Sequence, residues 1–275
     1  MLTIGLVSPG AMGGAIGARL VRHGARVLTQ LDGRSPASIA RAQAGGMTDA
    51  APTDLAGADI FLSIVPPHTA EEVARSFAAW ASGVARPALY IDCNALSPAT
   101  KQSVAGIVEG AGARMVDACI IGGPRDEGGP NFYASGAHAA DAAILGEHGL
   151  RWSVLDAPIG AAASLKMCFA GINKGLLALG NMMRLAADGA GVSDALRHEM
   201  EARLPHVLSQ LDRTTHSVFE RAWRWAPEMR EIAEFGRAES GAPDVFEGFA
   251  LFYERLAADL AGDRVDYAAL EGKKD

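Results

Sequence analysis

Lys166 is the side chain best placed to move a proton. It lies in the run Leu165-Lys166-Met167-Cys168-Phe169-Ala170-Gly171-Ile172-Asn173. On a helix, residues at i, i+3, i+4 and i+7 share a face, so Lys166, Phe169, Ala170 and Asn173 align. A lysine flanked by so much apolar surface either snorkels to water or finds partners in a cleft. Burial lowers the pKa of an ammonium and makes it a usable general acid or base near neutrality. Asn173 adds an amide able to hold an oxygen.

The second chemical signal is the turn Ser8-Pro9-Gly10-Ala11-Met12-Gly13. In a G-x-G-x-x-G fingerprint the middle glycine lets the backbone approach a pyrophosphate. The last lets helix and strand pack closely, and the phosphates rest on the helix N-terminus. Gly10 and Gly13 fill those two places, and Ser8 replaces the first glycine. The turn follows an apolar run and opens a helical pattern, the context such a motif requires. Ser8, Pro9, Gly10, Ala11, Met12 and Gly13 are therefore the expected cofactor loop. The next strand ends in Leu31-Asp32-Gly33-Arg34-Ser35. An acid here binds ribose hydroxyls, as in NAD sites, whereas Arg with Ser holds the ribose phosphate of NADP. Arg34 and Ser35 favour NADP, with NAD left open by Asp32.

These residues need a frame. Leu2 to Val7, Arg26 to Leu31, Asp59 to Val65, Ala88 to Cys93, Arg114 to Ile121, Asn131 to Ser135 and Trp152 to Leu155 read as strands. Helical patterns lie between most of them, from Gly13 to His23, from Ser35 or Ser38 to Ala44, from Thr69, and from Ser97-Pro98. Ser97 is the expected N-cap, with Pro98 in the first turn. This rhythm predicts an α/β fold, a parallel doubly wound sheet of Rossmann type, with ligands at the carboxyl ends of the strands. From Ala161 the pattern becomes helical, from Ala161 to Gly189 and again from Ser193. The expected domains are a cofactor-binding one over 1–159 and an all-helical one over 160–275. The tail Glu271-Gly272-Lys273-Lys274-Asp275 is expected to fray.

Composition limits the function. The chain has 275 residues, enough for two domains. Its net charge of −7 and lack of basic clusters argue against nucleic acid or anionic membrane as a partner. No apolar run reaches the ~18 residues of a membrane span, and the N-terminus lacks a signal-peptide pattern. Cys93, Cys119 and Cys168 fit neither a zinc pattern nor a disulfide framework. They read as reduced, mostly buried thiols of a cytoplasmic protein. His198, His206 and His216 lack metal-ligand spacing, so no metal is expected.

Several segments together resemble the β-hydroxyacid dehydrogenase family, which includes 3-hydroxyisobutyrate and 6-phosphogluconate dehydrogenases. Gly5-Leu6-Val7-Ser8-Pro9-Gly10-Ala11-Met12-Gly13 resembles its G-x-I-G-x-G-x-M-G. Ser63-Ile64-Val65-Pro66-Pro67 is similar to the strand and proline turn beside the cofactor, which implies cofactor contacts from Val65, Pro66 and Pro67. Asp92-Cys93-Asn94-Ala95-Leu96-Ser97-Pro98 resembles D-x-S-T-x-S-P. Asp117-Ala118-Cys119-Ile120-Ile121-Gly122-Gly123 resembles D-A-P-V-S-G-G, and Gly160 to Lys166 resembles G-x-G-x-x-x-K. Leu31 to Ser35, Asn131 to Gly136 and Trp223 to Met229 resemble a subgroup of oxidoreductases with 6-phosphogluconate-dehydrogenase-like cofactor domains. The resemblance implies a Rossmann-like domain, a long interdomain helix, a helical second domain and a homodimer. It also implies hydride transfer between nicotinamide and a small substrate, with Lys166 handling the proton.

The departures shape the substrate expectation. Ala170 stands where the family often has Asn, and Phe169 where 6-phosphogluconate dehydrogenases have His. Asn173 replaces their acid, Ile121 a Ser, and Asn94-Ala95 a Ser-Thr pair. A highly charged sugar phosphate is therefore not expected; a small hydroxy acid, carbonyl or imine compound is. Asn94, Lys166 and Asn173 are the catalytic candidates, and Gly122 and Gly123 join them at the substrate. His68 is a further candidate to line the cofactor cleft. Tyr133 reads first as a core tyrosine. Trp225, Glu228 and Glu231 could cap the site, although a solvated helix face is the plainer reading of the two glutamates. The competing function is a non-catalytic dinucleotide-binding sensor or scaffold.

Overall fold

The computed structural model describes residues 1–124 and 127–262. The tail expected to fray, 271–275, lies outside the described residues. The chain forms two compact units, one of residues Met1–Lys166 and one from Met167 onward.

The first unit is built on β1 (Thr3–Val7), α1 (Ala11–Arg22), β2 (Arg26–Thr29), α2 (Pro36–Ala44), β3 (Thr48–Asp49), α3 (Pro52–Ala56), β4 (Ile60–Ser63), α4 (Ala70–Ala81), β5 (Leu89–Asp92), α5 (Pro98–Gly110), β6 (Met115–Ile121), β7 (Asn131–Ser135), α6 (Ile144–Glu147) and β8 (Arg151–Val154). Short 3-10 turns occupy Pro67–Thr69 and Ala139–Ala142. The sheet runs β3-β2-β1-β4-β5-β6-β7-β8. The strand order reverses between β1 and β4. In open α/β sheets that is where a crevice opens beyond the carboxyl ends of the strands. Ser8 follows β1 directly, and Val65 stands two residues past the end of β4.

Alternation along the strands builds two cores. Ile4, Leu6, Ile60, Leu62 and Ile91 pack with Ile16 and Leu20 of α1 on one face. Val7, Phe61, Tyr90 and Met115 pack with Leu55, Phe77, Val104 and Val108 of α3, α4 and α5 on the other. Burial on both faces explains why these strands read as continuous apolar runs.

Two expectations need correction. The sheet is not wholly parallel, because β7 runs antiparallel to β6 and β8 runs parallel to β7. The link from Ile121 to Asn131 is too short for a helical crossover, which needs about a dozen residues, so it returns as a hairpin. The elements β3 and α3 were also unforeseen. Both residues of β3 are exposed and carry no apolar signal.

The second unit is helical. It comprises α7 (Ala161–Gly189) from Met167 onward, α8 (Ser193–Arg203), α9 (Pro205–Phe235) and α10 (Ala242–Ala261). Its core is Leu177, Leu211, Phe219, Trp225, Met229, Tyr253 and their neighbours. No helix among the described residues is long and apolar enough to cross a membrane. Cys93 and Cys119 are buried, Cys168 is exposed, and none forms a disulfide.

Candidate functional site

The turn after β1 has the shape the fingerprint requires. Ser8 has φ 69° and is the one non-glycine residue of positive φ among those described. It therefore performs the tight turn at the cost of a strained backbone. Its carbonyl accepts from the Gly10 N–H at 2.7 Å. A Cβ on Gly13 would lie 2.4 Å from the Ser8 carbonyl oxygen, whereas one on Gly10 would meet nothing within 4 Å. Gly13 is thus required by the packing of strand on helix, while Gly10 leaves a space beside the backbone. Gly10 is the N-cap of α1, with no side-chain cap and no acid in the first turn. The dipole and free N–H groups there remain available to an anion.

Across from this turn, Arg41 of α2 donates to the Pro9 carbonyl (3.1 Å) and to Ser38 Oγ (3.0 Å). Ser35 Oγ caps α2 by accepting from the Ser38 N–H and donates to Ser38 Oγ. Arg34 is half-buried, and its Nε is buried with no hydrogen-bond partner among the described residues. Ser35, Ser38 and Arg41 therefore cluster beside the turn, with Arg34 next to Ser35 in sequence. An open glycine cradle and an unmatched guanidinium donor fit a dinucleotide.

Beyond the turn, register places Val7, Ser63, Asp92, Asp117 and Ser135 in one row across β1, β4, β5, β6 and β7. Ser63, Asp92, Asp117 and Ser135 have no exposed surface. The buried Lys101 of α5 enters this row. Its ammonium donates to Asp92 Oδ1 (2.7 Å), the Asp92 carbonyl (2.7 Å) and the Ala118 carbonyl (3.0 Å). It also pairs with Asp117 Oδ1 at 3.0 Å. Burial alone would lower its pKa, but the two carboxylates outweigh burial and hold it above the ordinary lysine value.

Asp117 carries the row to α7. Its Oδ2 accepts from Ser135 Oγ (3.1 Å) and from the N–H groups of Gly160 (2.9 Å) and Ala163 (3.3 Å). Ser135 Oγ accepts from the Ala162 N–H (3.0 Å). A carboxylate and a hydroxyl thus satisfy the N–H groups that begin the helix. One turn later, Lys166 Nζ donates to the Ile120 carbonyl of β6 at 2.8 Å. Burial raises the neighbouring Cys119 thiol to about 11, opposed chiefly by the Lys166 charge.

Asn94 is 4% exposed. Its Nδ2 donates to Ser63 Oγ and Asp92 Oδ2, and its Oδ1 accepts from the Val65 N–H at 2.7 Å. Both amide N–H donors are taken, so in this structure Asn94 holds the β4 and β5 loops together rather than presenting a donor to a ligand. Val65 is half-buried, and Pro66, Pro67 and His68 are exposed beside it. Gly122, at φ 116°, and Gly123 follow the end of β6. Tyr133 is half-buried on β7, opposite Cys119.

Asn173 lies in the second unit, where its Oδ1 accepts from Gln210 at 2.8 Å. Next to it in sequence, Lys174 pairs with Glu228 and sits 5.6 Å from the centre of the Trp225 ring. Glu231 is surface-exposed, yet partial desolvation of its carboxyl and the neighbouring Glu228 raise it above its ordinary value of 4.5, with Lys174 opposing. Trp225 is buried in the core of this unit. Phe169 is exposed, while Ala170 joins that core.

Lys101, Ser63, Ser135, Ser38 and Arg41 were not foreseen. A signal for Lys101 was present, since Asp92 and Asp117 each stand in an apolar strand run. A buried carboxylate requires a partner.

Two predictions follow from this geometry. Gly13→Ala forces its methyl onto a backbone oxygen and destabilises by about 2–3 kcal/mol, whereas Gly10→Ala unfolds within about 1 kcal/mol of the parent; denaturant titration of both variants checks the difference. The folded Glu231 holds its proton to higher pH than the unfolded chain. Stability is therefore lost as pH rises from about 4.5 through the folded value, and the loss is complete above it. Glu231→Gln should raise Tm at pH 7, and the gain should vanish below about pH 4.

Known proteins share this architecture. Residues 3–145 match the NAD binding domain of 6-phosphogluconate dehydrogenase, and residues 187–256 match a domain of unknown function, DUF1932. An uncharacterised 28.5 kDa protein of Methanothermus fervidus is 29% identical over 143 residues, 52% of this chain. The chain spans about half the length, 53%, of that curated relative. The conserved protein MTH1747, whose structure is described as similar to 3-hydroxyacid dehydrogenases, superposes with TM-score 0.77 at 26% identity over 94% of this chain and 98% of its own. A 3-hydroxyisobutyrate dehydrogenase of Mycobacterium tuberculosis, solved with L-serine, shares the fold with TM-score 0.75 at 20% identity over 98% of both chains. With its 6-phosphogluconate-dehydrogenase-type cofactor domain matched over more than half its length, the chain belongs to the β-hydroxyacid dehydrogenase family.

Proposed function

We propose that this protein is an NADP(H)-dependent oxidoreductase acting on a small hydroxy acid, carbonyl or imine compound. The carrying observation is the cradle at Gly10, where the N-terminus of α1 is uncapped and a Cβ would meet nothing. Ser8 to Gly13 hold the pyrophosphate. Arg34 and Ser35 hold the ribose phosphate, with Ser38 and Arg41 beside them. Val65, Pro66 and Pro67 line the nicotinamide side, and Asn94 fixes their loop from within. When bound, the dinucleotide donates or accepts the hydride. Lys166 gives a proton to the carbonyl oxygen or imine nitrogen, or takes it in the reverse direction. Its bond to the Ile120 carbonyl orients the ammonium. Gly122 and Gly123 contribute backbone to the substrate. The apolar Ile121, where the family is polar, favours a weakly charged substrate. Unpaired cysteines suit a cytoplasmic setting.

A second copy of the chain is the natural cover for α7. Phe169, Ile172, Leu179 and Met183 are exposed on it, Ile172 by 73%. Their spacing of three, seven and four residues is that of a helix-pairing seam.

NADPH oxidation against a panel of small carbonyl and imine compounds tests the reading. Lys166→Ala should lower kcat at least ~100-fold and leave NADPH affinity intact. Arg34→Ala should raise the Kd for NADPH about tenfold, a loss of ~1.4 kcal/mol, and leave NADH unchanged. Tight dinucleotide binding without turnover of any compound would favour a sensor instead. Ile172→Asp should convert a dimer to a monomer in sedimentation.

A further inference from the structure

The buried lysine of the polar row has a consequence for catalysis, which rests on the reading of Lys166 given above. Lys101 pairs with Asp117 Oδ1, which leaves Oδ2 turned to the N–H groups of Gly160 and Ala163. It binds the Ala118 carbonyl on the same strand, so both the side chain and the backbone of β6 are held. Lys166 then returns from α7 to β6 through Ile120. The start of α7 is thus tied to β6 at two levels, and the lower tie depends on the orientation of Asp117. The same ammonium holds Asp92, whose other oxygen holds Asn94 and through it Val65. Stability alone gives no reason for this cluster, since well-packed apolar residues often replace buried ion pairs without loss. Direction does give one: a carboxylate held on one oxygen presents the other at a fixed angle.

We propose that Lys101 is a positioning residue that orients Asp117 against the first turn of α7 and thereby sets where Lys166 delivers its proton.

Three variants test this: Lys101→Met, the charge-balanced double variant Lys101→Met/Asp117→Asn, and the milder Ser135→Ala, which removes the acceptor of the Ala162 N–H and one donor to Asp117 Oδ2. Hydrogen exchange of the segment 160–166, measured by mass spectrometry, needs no substrate. Lys101→Met should accelerate exchange there at least tenfold relative to α1, and Ser135→Ala should do so to a smaller extent. Turnover should fall at least tenfold in Lys101→Met, while the Kd for NADPH moves less than about threefold. The double variant should recover much of the lost thermal stability without recovering kcat, which separates orientation from mere stability. If Lys101→Met does not fold, the double variant carries both readouts. Wild-type exchange at 160–166 in the folded variant, or equal acceleration throughout the first unit, would overturn the proposal. So would a kcat that returns together with stability. If the wild-type protein binds NADPH but turns over nothing, the reading of Lys166 fails, and the exchange measurements alone decide whether Lys101 orders α7.

Discussion

One ammonium group, buried without access to water, holds the carboxyl ends of the central strands together. Lys101 donates three N–H bonds, to Asp92 Oδ1 and to the Asp92 and Ala118 carbonyls, and its charge also lies 3.0 Å from Asp117 Oδ1. Two carboxylates against one ammonium leave a formal charge of −1 in the core. The N-terminal amides of α7 on Asp117 Oδ2 offset it, since a helix start carries positive partial charge. Such a cluster tolerates no vacancy. Removing one partner of a buried pair costs about 3–5 kcal/mol, against a total stability of about 5–15 kcal/mol for a typical domain. The arrangement is therefore stiff at the level where the crevice opens.

That stiffness extends along the sheet in both directions. At one end the row begins at Val7, paired with Ser63, and the next residue is the strained Ser8. A non-glycine residue at φ 69° persists only where its surroundings over-determine it. Here β1 precedes it, Gly13 packs on its carbonyl, and Arg41 anchors the neighbouring Pro9. At the other end Ser135 and Asp117 begin α7. The glycine turn after β1 and the start of α7 thus rest on one row of in-register residues.

Much of this was legible in the sequence, and the limits have a physical cause. The glycine turn is local: strand, turn and helix follow within a few residues, and the spacing of Gly10 and Gly13 carries its own steric meaning. Lys166 stands out by its apolar flanks, and the structure bonds it to the Ile120 carbonyl. The polar row was not legible, because it depends on register between strands far apart in sequence, and register follows from packing that no local pattern records. Asn94 shows the same limit. The resemblance of its segment to D-x-S-T-x-S-P implies contact with a ligand, yet Ser63, Val65 and Asp92 take up its amide. Arg34 was read from its place after β2, while Arg41 was hidden seven residues further along an exposed helix face.

The reversal of β7, which the strand–helix rhythm did not foretell, bears on how Lys166 is held. β5 ends at Asp92, opposite Asp117, but β6 continues to Ile121. Beyond the row β6 pairs with β7 alone, from Ala118↔Ala134 to Ile121↔Asn131. An antiparallel neighbour arriving by a short link can support this overhang, because it starts where the overhang ends. Along the edge that β5 has left, Ala118 and Ile120 are two residues apart, so their carbonyls point the same way. Each accepts from a lysine, Ala118 from Lys101 and Ile120 from Lys166. The two ammonium groups stand where the next strand's N–H groups would have been. The inner one is locked between carboxylates, whereas the outer one is half-buried at the open end of the strand. A buried backbone acceptor needs a donor, and extending β6 past its neighbour creates that need at the level where Lys166 would meet a substrate.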